Sequence, residues 1–287
     1  MNQIIKKVTR KSMIIRPSGR SSDYISPSFG YGCLFDCTYC YMKRHKDNGL
    51  DVATNTEDIL TEINSHAWFS TVEKPNQTHE KYITYDISCN EDFALHRKHH
   101  DWKKIFKFFK EHEIAMATLA TKTIPYEFLK FNPKGKVRIR FSLMPQELSS
   151  IIEPYTAPII NRIEAIDEFI KAGYDVHVNF SPIVFYTGWL EAYTELFRWL
   201  DIHVENKDKV KAEVIFLTHN NDKHLYNLKH KLPGENLLWN PKVQEVKTSE
   251  YCGDNIRYNH EVKKKLIDQW RNLHDQLIPW NKIRYIF

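Results

Sequence analysis

Three of the chain's five cysteines lie within eight consecutive residues, in the segment GYGCLFDCTYCYMKRH. Cys33, Cys37 and Cys40 have the spacing C-x3-C-x2-C, and Tyr39 and Tyr41 stand on either side of the third cysteine. An odd number of thiols in so short a segment argues against disulfide bonds. A structural zinc site normally has four ligands, commonly two separated C-x2-C pairs, and the sequence contains no second pair.

A cubane iron–sulfur cluster fits three thiolates better. Each cysteine would hold one iron, and the fourth iron would stay open for a ligand that is not protein. A catalytic zinc ion with three protein ligands and an open position is the alternative. Cys89 and Cys252 are single and far apart in the sequence, so neither completes the set. Cysteines of this kind indicate a reducing compartment, and we expect a cytoplasmic protein.

Composition allows a large folded core. The chain has 287 residues, of which 42% are hydrophobic and 13% aromatic. No run approaches the 18 or so apolar residues of a membrane span, so no membrane association is expected. The N-terminus is basic but lacks the apolar stretch of a secretory signal.

The positive charge is unevenly distributed, although the net charge is only +5. The first twenty residues contain basic side chains and no acid, and further basic clusters follow: Lys6, Lys7, Arg10, Lys11, Arg16, Arg20; Lys43, Arg44, Lys46; Arg97 to Lys107; and Lys263 to Lys265. Such patches attract polyanions such as DNA through counterion release. A solvated basic surface is the alternative.

Short β-branched runs alternate with amphipathic helical stretches. The predicted strands are Tyr82–Ser88, Ala115–Lys122, Val137–Leu143, Asp175–Ile183 and Lys211–Thr218. The predicted helices are Glu57–Trp68, Trp102–His112, Pro125–Leu129, Ile159–Ala172 and Leu190–Leu200. This alternation predicts parallel βα units, in either an open sheet or a barrel.

In a β/α barrel, chemistry gathers at the carboxyl ends of the strands. Polar residues recur where the predicted strands end, at Ser88-Cys89, Thr121-Lys122, Ser142, Ser181 and Thr218-His219. We therefore expect these side chains above one shared mouth. The group His96, His99 and His100 could bind a metal, but a solvated helix face is the preferred interpretation.

The pattern changes after His224. Two strands joined by a turn at residues 252–255, a helix over Glu261–Leu277 and a terminal strand over Lys282–Phe287 are predicted. The domain prediction is a basic N-terminal arm at residues 1–24, a partial barrel at 25–225 and a hairpin and helix cap at 226–287, packed on the barrel.

The cysteine segment resembles the signature of the radical S-adenosylmethionine superfamily, C-x3-C-x-aromatic-C, with Tyr39 as the aromatic residue. That resemblance implies an α/β fold, a partial (β/α)6 barrel, with a first strand near Ile25–Phe29. Over nearly the whole chain the sequence is similar to the spore photoproduct lyase family, which splits a thymine–thymine photodimer. The similar blocks are GCLFDCTYCY, SCNEDFALH, ATKTIPYEFL, RIRFSLMPQELSSIIEP, RIEAIDEFIKAGYDVHVNFSPIVFYTGW and IRYIF.

The resemblance implies a role for individual residues. Cys33, Cys37 and Cys40 would hold a [4Fe-4S] cluster, and S-adenosylmethionine (AdoMet) would chelate its open iron. Cys89 lies where the family keeps its hydrogen-atom donor, and Tyr39 and Tyr41 match its radical relay.

Further residues are predicted to contact the cofactor. Lys122 and Ser142 match positions near bound AdoMet, and Ser181 and Glu91 are also predicted to bind the cofactor. An electron donor such as flavodoxin or ferredoxin is expected to reduce the cluster.

The predicted function is radical repair of a thymine dimer in DNA, with the basic arm and the C-terminal hairpin holding the phosphate backbone. The hairpin segment SEYCGDNIRYN and Glu91 favour an alternative, the rearrangement of a hypermodified thymidine of the kind found in phage DNA. A non-catalytic DNA-binding iron–sulfur protein is the second alternative.

Overall fold

The computed structural model describes residues 4–42, 49–248 and 253–287. Lys43, Arg44 and Lys46 of the predicted basic clusters and Cys252 of the predicted turn lie outside the described residues. The described strands β1 to β14 span, in order, Ile5–Val8, Arg16–Pro17, Tyr24–Ile25, Gly30–Tyr31, Leu50–Ala53, Ile83–Asp86, Ala115–Thr121, Val137–Leu143, Asp175–Ile183, Lys211–Phe216, Thr218–Asn220, Gln244–Thr248, Asp254–Tyr258 and Lys282–Ile286. The described helices α1 to α8 span Thr56–Phe69, Trp102–Glu111, Gln146–Ile152, Ile159–Lys171, Trp189–His203, Asn221–His230, Glu235–Leu238 and His260–Leu277.

The main sheet has eight strands in the order β14-β10-β9-β8-β7-β6-β3-β2. Neighbours β3, β6, β7 and β8 pair in parallel, as do β10 and β14, whereas β2 pairs antiparallel with β3. Six strands of this sheet, β3 and β6 to β10, correspond to strands that the sequence predicts. The expected α/β fold of the partial-barrel type is confirmed.

The predicted bounds of β8 and β9 match the structure, and two other predictions need correction. The first strand is only Tyr24–Ile25, because Pro27 has no N–H to continue the ladder. The strand predicted over Lys211–Thr218 ends at Phe216, and Thr218 begins the separate strand β11.

Packing divides the chain into two compact units. The first unit comprises Met1–Leu34, Asn48–Phe141 and Ala165–His177. The second unit comprises Phe35–Asp47, Ser142–Glu164 and Val178–Phe287. This division follows packing rather than sequence order, and the predicted division into arm, barrel and cap stays a prediction.

The first unit has an aromatic core behind β6 and β7. Helix α2 begins at Trp102, where the Asp101 side chain accepts a hydrogen bond from the Lys104 N–H. The α2 residue Phe106 is fully buried, and its ring centroid lies 4.8 Å from that of Phe128. A smaller sheet in the order β1-β5-β4 contains the residues just before the cysteines.

The second unit is built around α5 and α8. Trp270 of α8 is fully buried, and its ring lies 5.3 Å from Phe197 of α5. Strands β12 and β13 form the predicted antiparallel pair, but the predicted turn at residues 252–255 is wrong at Asp254 and Asn255, which belong to β13 and pair with Thr248 and Lys247. Strand β11 adds a third strand that the sequence does not predict. In the described part of the chain, no helix is long and apolar enough to cross a membrane.

Candidate active site

The three clustered cysteines lie in a loop that follows β4. Gly30 of β4 pairs with Val52 of β5, so the loop starts from a fixed strand. Cys33 and Cys40 are half-buried, and Cys37 is buried. Residues up to Leu34 belong to the first unit, and residues from Phe35 belong to the second. We call residues 30–42 the cysteine loop.

In the first unit, backbone N–H groups of the cysteine loop bond to the segment after β6. The Gly32 N–H donates to the Asn90 carbonyl oxygen at 3.0 Å. Gly32 precedes Cys33, and Asn90 follows Cys89. This single bond therefore brings the backbone of a predicted cluster ligand beside that of the predicted hydrogen-atom donor.

The start of the loop approaches Glu91 closely. A Cβ atom on Gly30 would overlap the carboxylate of Glu91, so a larger residue at position 30 would displace that side chain. Glycine is required here because of this close approach. The Gly30 backbone thus fixes where the loop can run.

Glu91 is the centre of a buried acid–histidine network. Its Oε2 atom contacts His96 Nδ1 at 2.8 Å and His100 Nε2 at 2.9 Å. His96 Nε2 accepts the Leu34 N–H at 3.3 Å, so the proton of neutral His96 lies on Nδ1 and is donated to Glu91. Burial raises the pKa of the Glu91 carboxyl, but the two imidazoles outweigh it and leave the pKa below its usual value.

The prediction of a solvated helix face is wrong for His96 and His100, whereas His99 is half-buried. His96 is fully buried, and the side chain of His100 is only 3% exposed. The sequence pattern suggested polar residues on a surface, but Glu91 supplies an internal acceptor for both rings. The predicted contact of Glu91 with the cofactor stays a prediction.

Cys89 lies in the turn that leaves β6, and this turn is fixed by Asp86. The Ser88 N–H donates to Asp86 Oδ1 at 2.8 Å, and Arg140 Nη2 donates to Asp86 Oδ2 at 2.6 Å. The Ser88 hydroxyl oxygen accepts the Ala120 N–H of β7 at 3.0 Å. Cys89 is half-buried directly after this bonded turn.

Asp92, which sequence reasoning missed, connects the Cys89 segment to the end of β7. Its carboxylate accepts the Thr121 hydroxyl at 2.8 Å, the Lys122 N–H at 2.9 Å and the Leu95 N–H at 3.0 Å. Lys122 is half-buried directly after β7. Asp92 therefore fixes the backbones that carry Cys89 and Lys122 relative to each other.

In the second unit, Thr38 anchors the cysteine loop. Its N–H donates to the Ile152 carbonyl at 2.9 Å and its hydroxyl to the Pro233 carbonyl at 3.1 Å. The Thr38 carbonyl accepts the Asn227 side-chain amide at 3.0 Å. Thr38 stands between Cys37 and Cys40, whose backbones are joined by a bond from Cys40 N–H to Cys37 O of 3.0 Å.

Tyr39 is bonded to a buried charged network, whereas Tyr41 is 44% exposed. The Tyr39 hydroxyl donates to Glu153 Oε1, and Glu153 Oε2 accepts from Arg162 Nη1 at 3.3 Å and from the Ser149 hydroxyl at 3.2 Å. Burial, and then the Glu153 carboxylate, raise the pKa of Tyr39 well above its usual value. Tyr39 is therefore a protonated phenol at any physiological pH.

The two predicted serines lie on neighbouring strands of the main sheet. Ser142 of β8 is buried, and its carbonyl accepts from Arg162 Nη1 at 2.8 Å. Ser181 of β9 is half-buried. The same guanidinium thus bonds Ser142 and the carboxylate that holds Tyr39. Contacts of both serines with AdoMet stay predictions.

A mostly parallel main sheet and a three-cysteine loop after β4 define the chain as an α/β protein of the radical AdoMet type. The chain belongs to the spore photoproduct lyase family, whose family model matches residues 3–287. It is 25% identical over 281 residues to the spore photoproduct lyase of Bacillus subtilis, covering 96% of this chain and 80% of that protein. The corresponding protein of a Geobacillus species is 22% identical over 284 residues, with the same coverage.

Solved structures show the same fold. A spore photoproduct lyase variant with bound AdoMet and dinucleoside spore photoproduct has a TM-score of 0.86 at 20% identity, covering 99% of this chain and 82% of that chain. A spore photoproduct lyase complexed with dinucleoside spore photoproduct has a TM-score of 0.85 at 21% identity, with the same coverage. The family named from the sequence blocks is confirmed.

Proposed function

We propose that this chain is a radical AdoMet lyase that returns spore photoproduct in DNA to two thymines. The observation that carries the proposal is the Gly32–Asn90 backbone bond, which places Cys89 beside the start of the cysteine loop. Family membership supports the reaction, and the ligands named for the structural relatives support its substrate and cofactor.

The cysteine loop fits an iron–sulfur cluster. Cys33, Cys37 and Cys40 supply three thiolates, the donors that such clusters require, within one short loop. When bound and reduced by an electron donor, the cluster and AdoMet supply a 5'-deoxyadenosyl radical. Lys122 offers a compact positive charge for the AdoMet carboxylate. Ser142 and Ser181 are the other proposed cofactor contacts, and the Glu91 contact would require its carboxylate to turn away from His96 and His100.

Cys89 is the proposed donor of a hydrogen atom to the thymine product radical. A thiol S–H bond is weaker than most C–H bonds, so transfer from Cys89 Sγ to carbon is downhill. The donor must be held in place, because a displaced thiol would leave the carbon radical to side reactions. Asp86 and Asp92 provide that restraint through their bonds on either side of Cys89.

Tyr39 and Tyr41 are proposed to return a hydrogen atom to the thiyl radical that this transfer leaves on Cys89, and the tyrosyl radical so formed would regain its hydrogen atom from 5'-deoxyadenosine. For Tyr39, the Glu153 carboxylate fixes the phenolic hydrogen and the direction of the O–H bond. Arg162 balances the charge of Glu153, so the carboxylate remains an acceptor inside the protein. Tyr41 is more exposed than Tyr39.

The basic arm is proposed to contact the DNA backbone. In the first unit, Arg10 and Arg16 line a pocket of about 300 Å³ together with Ser12, Tyr31 and Asn90. The Arg10 Nε atom donates to the Ser28 carbonyl at 3.1 Å, which holds the guanidinium against the segment before the cysteine loop. Two guanidinium groups in one pocket suit a phosphate. The hairpin of β12 and β13 is the second proposed DNA contact.

The alternative substrate, a hypermodified thymidine, gains no support from Glu91. An acidic partner for an ammonium substituent must face the substrate, but both imidazoles bond to the Glu91 carboxylate. The side chain of Glu91 is also only 1% exposed. The lyase reaction is therefore the proposed activity.

The test is anaerobic turnover. The cluster is reconstituted and reduced with dithionite, and AdoMet is added with DNA containing spore photoproduct. Thymine and 5'-deoxyadenosine are then quantified. We expect DNA-dependent formation of thymine by the unmodified chain, and a diversion to side products in Cys89→Ala. Asp101→Asn is the control and should repair normally, because asparagine can accept the same helix-capping hydrogen bond from the Lys104 N–H.

Two outcomes would contradict the proposed lyase activity, and a third would contradict only the role of Cys89. Deoxyadenosine without thymine would move the chemistry to another substrate, and modified thymidines would be tested next. A bound cluster with no deoxyadenosine under any condition would leave a non-catalytic iron–sulfur protein. Clean repair by Cys89→Ala would remove Cys89 from the reaction while leaving the lyase activity in place.

A further inference from the structure

A second group of metal-binding side chains lies wholly in the second unit and shares no residue with the cysteine loop. His219 comes from β11, His224 from the first turn of α6, and Glu235 from the start of α7. All three are buried, and one ligand atom from each lies within 4.8 Å of the others. Three separate elements thus place two imidazoles and one carboxylate around one point.

His219 is the unusual member of the group. It is fully buried, and neither of its ring nitrogens has a hydrogen-bond partner among the described residues. Its Nε2 atom lies 3.4 Å from Glu235 Oε2, out of hydrogen-bonding alignment. A buried imidazole that makes no hydrogen bond loses its hydration without full compensation, unless another group takes its lone pair.

We propose that His219, His224 and Glu235 bind one divalent transition-metal ion, which we expect to be zinc. Two imidazoles and one carboxylate are a common zinc ligand set, whereas calcium and magnesium prefer sites made of oxygen atoms. Tetrahedral bonds of 2.0–2.2 Å place ligand atoms roughly 3.3 Å apart. The His219–Glu235 separation of 3.4 Å already has this value. His224 Nδ1, which contacts Glu235 Oε1, has to move away from that oxygen when the ion enters between them.

The site connects to the cysteine loop through one side chain. The Asn227 amide nitrogen donates both to Glu235 Oε2 and to the carbonyl oxygen of Thr38. Asn227 is fully buried, so its orientation is set by these two acceptors. An ion that fixes the Glu235 carboxylate therefore fixes Asn227 and, through it, the turn between Cys37 and Cys40. With a water molecule as its fourth ligand, the proposed ion would help to hold the cysteine loop through Glu235 and Asn227.

The test measures metal content rather than activity. The holoenzyme is dialysed against EDTA and desalted, given one equivalent of Zn²⁺, desalted again, and analysed for zinc and iron by mass spectrometry. The full-length triple variant Cys33→Ala/Cys37→Ala/Cys40→Ala is treated in the same way, because it removes the thiolates that could bind zinc in place of iron. We expect one retained zinc per chain in both proteins.

Ligand variants in the triple-variant background locate the ion. His219→Gln and Glu235→Gln should each weaken zinc retention at least tenfold. His274→Gln is the matched control, because His274 is also buried in the second unit but has Asp275 and Asn281 as partners. It should retain zinc. A second readout is Co²⁺, which should give visible ligand-field bands in the triple variant and in His274→Gln, but not in His219→Gln.

Each outcome of the zinc and cobalt measurements either supports or overturns the proposed metal site. Zinc retention that His219→Gln and Glu235→Gln abolish supports it, provided that circular dichroism shows both variants to be folded. If a variant fails to fold, the cobalt spectrum of the triple variant decides, because nitrogen and oxygen ligands without thiolate give no intense near-ultraviolet charge-transfer band. Zinc absent from both the holoenzyme and the triple variant would overturn the proposal, as would retention unchanged by both ligand variants. The group would then be a hydrogen-bond network alone.

Discussion

Replacing Asp92 by asparagine should detach the Cys89 segment from the end of β7. The Asp92 carboxylate accepts three hydrogen bonds, one to Oδ2 from the Lys122 N–H and two to Oδ1 from Thr121 and Leu95. In Asp92→Asn one oxygen becomes an NH₂ group. At least one of the three donors then faces another donor, whichever way the amide is turned.

The magnitude follows from these contacts. A hydrogen bond to a charged group contributes about 1.5–3 kcal/mol, and a buried donor left without a partner costs about 1–3 kcal/mol. Asp92 is buried, so water does not replace the lost acceptor freely. We expect Asp92→Asn to lower the free energy of unfolding by about 2–4 kcal/mol, toward the lower figure if the loop relaxes.

The assay is urea denaturation of the full chain, followed by turnover on DNA containing spore photoproduct. Asp101→Asn is the matched control, because Asp101 caps α2 with one bond to the Lys104 N–H at 3.2 Å, and asparagine caps helices equally well. The control should change stability by less than about 0.5 kcal/mol. Asp92→Asn should also raise the fraction of side products, because Cys89 is no longer held.

Two results would refute this reasoning. If Asp92→Asn unfolds at the same urea concentration as Asp101→Asn, the three bonds do not stabilise the fold. If Asp92→Asn is destabilised but forms thymine as cleanly as the unmodified chain, Asp92 supports the strand end without positioning Cys89. The urea midpoint and the fraction of side products are measured separately. The stabilising role of Asp92 and its positioning of Cys89 are therefore tested independently.

Three further predictions concern single side chains. Gly30→Ala should cost about 1–3 kcal/mol of stability in urea, because the new methyl group overlaps the Glu91 carboxylate, and the cost should fall in a Glu91→Ala background. Tyr39→Phe should lose about 1–2 kcal/mol in the same assay, because Glu153 loses one buried donor but keeps Arg162. Burial, with a smaller contribution from Lys81, lowers the pKa of Lys136 to about 8 from 10.5. Between these two pKa values the unfolded chain therefore binds more protons than the folded chain, and the free energy of unfolding should rise as the pH increases from 8 to 10.5. Lys136→Met should abolish this rise. Urea midpoints measured across the same pH range test the prediction.

The strand positions could be predicted because the buried runs are local. Val137–Leu143 and Asp175–Ile183 are rich in β-branched and aromatic residues, and both match β8 and β9. The environment of β8 could not be predicted in the same way. Its sequence alternates arginine with apolar residues, yet all seven positions are buried. Arg138 reaches Asp175 at 2.7 Å and Arg140 reaches Asp86 at 2.6 Å, and neither partner is near in sequence.

Long-range pairing explains the other errors. The sequence predicts Thr218 as the end of the preceding strand and does not predict β11, because the partner strand β13 lies more than thirty residues further along the chain. The burial of His96 depends on Glu91 and on the Leu34 N–H, which is 62 positions away. Local propensity contains no information on either contact. The chemistry-bearing cysteines were found because their residue type and spacing are themselves the signal.

The residues that hold the cysteine loop are harder to recognise in the sequence than the cysteines themselves, for a physical reason. The loop is held mainly through backbone atoms of Gly32, Leu34 and Thr38, and every residue other than proline has the same N–H and carbonyl groups. Only their partners have a distinctive side chain, such as His96 and Asn227. Each partner becomes recognisable once the fold places it, which is why a motif identifies the proposed ligands but not the structure that positions them.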